Sequence, residues 1–122
     1  MTLTSLDHVT IHCADLTASR RFYAEVLGLA DGDRPAFNMP GAWLYLGGKP
    51  VVHLVAGLND GALTGSASLD HIAFDATGLD ATRARLNARG ISFKEMAVPG
   101  GTLHQIFLHD PDGIKVELNF RR

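Results

Sequence analysis

"LDHVTIHCADL", Leu6 to Leu16, and "LDHIAFDATGL", Leu69 to Leu79, are one phrase written twice, each with a histidine as its third residue. His8 and His71 stand 63 positions apart in a chain of 122 residues, and a repeat on that scale sets the architecture before any local reading does. Each phrase opens with alternating apolar and polar residues, Leu6 to His12 and Leu69 to Phe74. That alternation reads as a strand whose period of two points His8 and His71 to equivalent faces.

A helix follows each strand. In the first copy Asp15 is an N-cap, and Ala18, Phe22 and Val26 form an apolar stripe with Tyr23 and Leu27. Gly28 stands where a left-handed residue closes a helix. In the second copy "LDATRARLNARG" repeats the plan and ends at Gly90. Strands come next: "AWLYLGG" and "PVVHLVA" in the first half, then "ISFKEMAV", "TLHQIFLH" and "IKVELNF" in the second, broken by Gly-Gly-Lys-Pro and Asp-Pro-Asp-Gly turns. The expected fold is therefore α+β, a single domain over 1–122 built from two βαβββ modules. Module one covers about 1–56, a Gly-, Ser-, Asn- and Asp-rich linker about 57–68, and module two about 69–122.

The closing strands also correspond, Val52-His53-Leu54 against Val116-Glu117-Leu118. Alternation puts His53 on one face with Val51 and Val55, and Glu117 on one face with Lys115 and Asn119. If the modules curl into half-barrels about a pseudo-twofold axis, His8, His53, His71 and Glu117 converge on one concave surface. Imidazole and carboxylate together suit Fe, Mn, Ni, Co or Zn as divalent ions, and two histidines with one carboxylate leave positions open for substrate oxygens. His8, His71 and Glu117 fit that description, with His53 a fourth ligand or a base. Taken singly, a histidine on an apolar strand is usually a hydrogen-bonded core residue and a glutamate on a terminal strand usually a solvated one. Four at repeat-equivalent places are harder to explain that way.

Composition narrows the function classes. The chain is 46% hydrophobic and 20% charged with a net charge of -2, which offers no basic stripe for nucleic acid or anionic lipid. No apolar run approaches the roughly 20 residues that cross a bilayer, and the N-terminus has neither a basic nor an apolar leader region, so a cytoplasmic protein is expected. Cys13 is the only cysteine. It excludes an intramolecular disulfide and a thiolate-rich zinc site, and it reads as a small buried apolar residue.

The twin "LDHV" and "LDHI" openings, "ASRRFYAEVLGL" after the first, and the closing "FLHDPDGIKVELNF" resemble the vicinal oxygen chelate superfamily, the group of glyoxalase I, extradiol dioxygenases and bleomycin-resistance proteins. The resemblance covers nearly the whole chain. It implies paired half-barrels, with one metal ligand on the opening strand and one on the closing strand of each module, which fall here on His8, His53, His71 and Glu117. For a single-domain member it also implies a homodimer, in which His8 and His53 of one chain meet His71 and Glu117 of the other.

The superfamily's common chemistry is a divalent metal chelated by adjacent substrate oxygens. The expected function is thus a glyoxalase-like isomerase or lyase on a small substrate, with Glu117 at the metal and His53 able to act as general base. Glyoxalase I usually carries a glutamate where this chain has His53, which points away from the glutathione-dependent reaction. The alternatives are an Fe(II) extradiol-type dioxygenase, with His12 or His104 as its acid-base residue, and a metal-free drug- or ligand-binding resistance protein. His12 follows His8 and Thr10 at period two, and either His104 or Gln105 faces inward. His109 reads as a surface residue beside the turn. Trp43 and Phe37 are pocket candidates that read better as core. The segment from Asp31 to Trp43 has the composition of a mobile flap, with Arg34 a solvated residue or an anion contact.

Overall fold

The computed structural model describes residues 1–2, 4–57 and 71–121. The chain divides into two compact units, Met1–Ser66 and Ala67–Arg122, each holding one copy of the repeat. The expected linker lies outside the described residues apart from Gly57, as do Leu69 and Asp70 of the second phrase.

In the first unit β1 (Val9–His12) lies parallel to β4 (Lys49–Val55) in a four-stranded sheet of order β1-β4-β3-β2. Parallel neighbours need a crossover connection, and the intervening helix α1 (Leu16–Arg21) supplies it. Asp15 caps that helix as expected, its carboxylate accepting the Ala18 amide at 3.0 Å. Asp15→Ala should cost about 1 kcal/mol, read as a lowered midpoint in urea denaturation. From Phe22 to Val26 the helix widens to a π-helical turn, with the Leu27 amide donating to the Phe22 carbonyl at 3.1 Å. Phe22 and Tyr23 are adjacent, both buried and packed edge to face at 5.1 Å. The wider turn reduces the angle between neighbours, so both rings face inward. Gly28 then closes the helix at φ 82°.

A three-residue strand β2 (Ala30–Gly32) pairs with β3 (Gly41–Leu46). It corrects the expected flap from Asp31 to Trp43, because both ends of that segment are in the sheet and only 33–40 is irregular. α1 packs against β3 and β4. On that side Ile11, Cys13, Ala42, Leu44, Val52 and Leu54 are buried, each large apolar side chain contributing about 1.5–3 kcal/mol relative to exposure.

The second unit repeats the plan with β5 (His71–Ala76), α2 (Leu79–Ala88), β6 (Lys94–Ala97), β7 (Leu103–His109) and β8 (Lys115–Arg121) in the order β5-β8-β7-β6. Ile106, Leu108, Val116, Leu118 and Phe120 are buried, as is Leu86 of α2. The Asp-Pro-Asp-Gly turn is held by Asp110, itself buried, whose carboxylate accepts the amides of Asp112 and Ile114 at 2.8 and 2.9 Å. This turn starts β8 at Lys115 and so fixes which of its residues face the helix and which face away.

Candidate metal centre

In the first unit Thr10 and Trp43 flank His53 across the sheet, on the face away from α1. His8 sits one residue before β1. Its ring lies against His53 with centroids 3.8 Å apart and planes inclined by 11°, while the Trp43 ring is 4.1 Å from His53 at 13°. His53 is therefore sandwiched between two parallel rings. Its Nε2–H donates to the Pro50 carbonyl at 3.0 Å, which leaves Nδ1 as the lone-pair nitrogen. His8 donates from Nδ1 to Asp7 at 2.7 Å and keeps its lone pair on Nε2. Hydrogen bonds of this kind fix the tautomer of metal-binding histidines. Burial, then the adjacent His8, push the His53 imidazole below its usual range, so it is a neutral donor at neutral pH. The hydrogen bond from His8, seconded by Lys49, holds the Asp7 carboxyl below the carboxylate range.

In the second unit β5 runs parallel to β8, with His71 opposite Lys115 and Ala73 opposite Glu117. His71 and Glu117 are thus diagonal neighbours on one face, with His71 Nε2 3.6 Å from Glu117 Oε1. At that separation the imidazole nitrogen and the carboxylate oxygen would serve as neighbouring donors to one divalent ion. The other oxygen of Glu117 accepts from Asn119 Nδ2 at 3.0 Å, and Asn119 Oδ1 accepts from Gln105 at 3.0 Å. Asn119 is buried and the Glu117 side chain is 13% exposed, so the amide chain orients the carboxylate from behind.

Each unit therefore brings together one pair of the expected donors. Among the described residues no group of three or more His, Cys, Asp or Glu is placed to hold a metal. Residues 5–118 match the family described as the Glyoxalase/Bleomycin resistance protein/Dioxygenase superfamily. The chain belongs to that superfamily. It is 32% identical to Glyoxylase I 4 of Arabidopsis thaliana over 95% of this chain and 70% of the relative. It is also 29% identical to a Vibrio parahaemolyticus protein named "Probable lactoylglutathione lyase", over 91% of this chain and 86% of the relative. The fold is shared with a glyoxylase/bleomycin resistance protein/dioxygenase domain from Frankia sp. EAN1pec, with a TM-score of 0.77 and 24% identity over 99% of this chain and 100% of that one.

A divalent metal is typical of the glyoxalase superfamily, and the donor chemistry here suits one: the His8 and His53 imidazoles with assigned lone pairs, the His71 imidazole and the oriented Glu117 carboxylate. The stack adds a condition. Parallel rings hold their in-plane lone pairs in planes that do not meet, so His8 must swing off His53 before both can reach one ion. The stack is worth on the order of 1 kcal/mol, small against the order of 10 kcal/mol that a structural zinc ion supplies.

The other candidates of this glyoxalase-superfamily chain divide by sheet face. His12 is exposed and shares the face of Thr10 and His53. Trp43, expected as core, is half-buried against His53 instead. Phe37 is 55% exposed and 6.4 Å from Trp43, beneath the Arg34 guanidinium at 5.0 Å. Arg34 also donates to the Met39 carbonyl at 3.0 Å and braces its own loop. His104 is on the other side of its sheet from Glu117, opposite Phe120. There it meets Glu95 at 2.9 Å, and Glu95 also accepts from Arg83 of α2 at 2.8 Å. Gln105 takes the place on the Glu117 face. Cys13 is buried, with its thiol 3.5 Å from the Val55 carbonyl. No helix among the described residues is long and apolar enough to cross a membrane.

Proposed function

We propose that the chain is a divalent-metal-dependent isomerase or lyase acting on a small substrate that chelates the metal through adjacent oxygens. The carrying observation is that repeat-equivalent segments bring His8 against His53, and His71 beside Glu117, as paired donors. These four residues would hold the ion, His8 and His53 from one chain and His71 and Glu117 from its partner in a homodimer.

A bound divalent ion would supply Lewis-acid polarisation of a substrate carbonyl. His53, neutral and with Nδ1 unprotonated, either completes the donor set or takes the proton from the carbon beside that carbonyl and returns it to the neighbouring carbon. Its Nε2–H bond to Pro50 and the Trp43 ring stacked on it keep Nδ1 in one orientation. Glu117 supplies negative charge, and Asn119 keeps its carboxylate from turning. A second reading, an Fe(II) dioxygenase, is favoured by exposed His12 on the His53 face as its acid-base group.

Elemental analysis of gel-filtered protein should find about one transition metal per site, lost in His71→Ala. Iron specificity with oxygen consumption would select the dioxygenase. No metal after anaerobic loading would leave a ligand-binding protein. Mixing His8→Ala with Glu117→Ala chains should restore one intact centre per heterodimer, and no recovery of metal binding would count against sharing between chains.

A further inference from the structure

The second unit carries a pocket of about 520 Å³ lined by Ser92, Phe93, Lys94, Phe107, His109 and Lys115. That volume lies in the range of small-molecule sites. Among the described residues its charged lining has one sign: two lysines and no carboxylate, in a chain whose net charge is -2. Its walls are aromatic, and the Lys115 ammonium stands 5.9 Å from the centre of the Phe107 ring.

Strand register ties the pocket to the Glu117 face. Phe107 pairs with Lys94 on one side and Glu117 on the other, and Lys115 pairs with His109 and His71. Registered partners point the same way, so the lysines, Phe107 and Glu117 share one surface. We infer that this pocket binds the anionic tail of the substrate, a carboxylate or phosphate carried on a flat apolar body. Phe93 and Phe107 accept the flat body by stacking, and the lysine ammonium groups take the oxyanion as point charges. The inference rests on the proposed function only in treating that ligand as a substrate whose other end lies at Glu117. It narrows the substrate to organic anions and assigns the preference to Lys94 and Lys115.

The test is calorimetric titration of the full-length protein, stripped of metal, desalted and at low ionic strength, with phenylacetate, phenyl phosphate and neutral 2-phenylethanol. Both anions should bind saturably and the alcohol at least tenfold more weakly, with the order of the two anions naming the headgroup. Lys94→Gln/Lys115→Gln should weaken the anions about tenfold, as should raised salt, while Phe107→Ala weakens all three probes. Equal binding of alcohol and anions, or anion binding indifferent to the double lysine change, would overturn the inference. The metal assay is independent. Anion binding without metal uptake would retain the pocket and reject the metalloenzyme, and the reverse result would reject the pocket alone.

Discussion

Glu117→Gln is expected to lower metal affinity by more than a hundredfold while leaving the chain folded. Glutamine keeps the shape of glutamate, and its amide oxygen can still accept from Asn119 as the carboxylate does at 3.0 Å. What changes is the atom facing His71. The carboxylate oxygen 3.6 Å from Nε2 becomes an amide nitrogen, a donor with no lone pair for a cation. The only anionic group of the proposed donor set is then gone. Asn119→Ala should act more mildly, about 10- to 100-fold, because it removes orientation and leaves the ligand. Competition against a chromophoric chelator would measure both, with denaturation in chelator as the folding control. Unchanged affinity in Glu117→Gln would remove Glu117 from the donor set.

Leu44→Ala and Leu108→Ala should each destabilise the protein by about 3 kcal/mol. Both side chains are fully buried, Leu44 in β3 and Leu108 in β7, so truncation gives up transfer free energy and leaves a cavity in a close-packed layer. Against a typical total of about 5–15 kcal/mol the loss is large, and the urea midpoint should fall by roughly 1–2 M. Met96→Ala is the control. Met96 is 50% exposed, and its loss should stay within about 0.5 kcal/mol.

The repeat made most of this architecture readable. Period-two alternation located the strands, Asp15 and Gly28 bracketed the first helix, and the matching stretches marked His8 with His71 and His53 with Glu117 as repeat-equivalent, while the grouping of His8 with His53 and His71 with Glu117 came from the family resemblance. Three features escaped for physical reasons. β2 is three residues long, too short for alternation to show, and it exists because β3 offers it an edge. The π-helical turn depends on how Phe22 and Tyr23 pack, which helical spacing does not encode. The faces of His104 and Gln105 were ambiguous because both neighbours are polar, and only the register of β7 against β8 decides between them. Trp43 is a different case. It alternates with Ala42 and Leu44, both buried, so strand parity already pointed it away from the core, and its bulk argued otherwise.

That position gives the molecule a built-in indicator. Trp43 is the only tryptophan, and it lies in ring contact with His53. A protonated imidazole stacked on an indole quenches its emission, and a displaced one releases it. Protonation of His53 therefore carries an optical signature that can be followed in the unlabelled protein on the timescale of mixing.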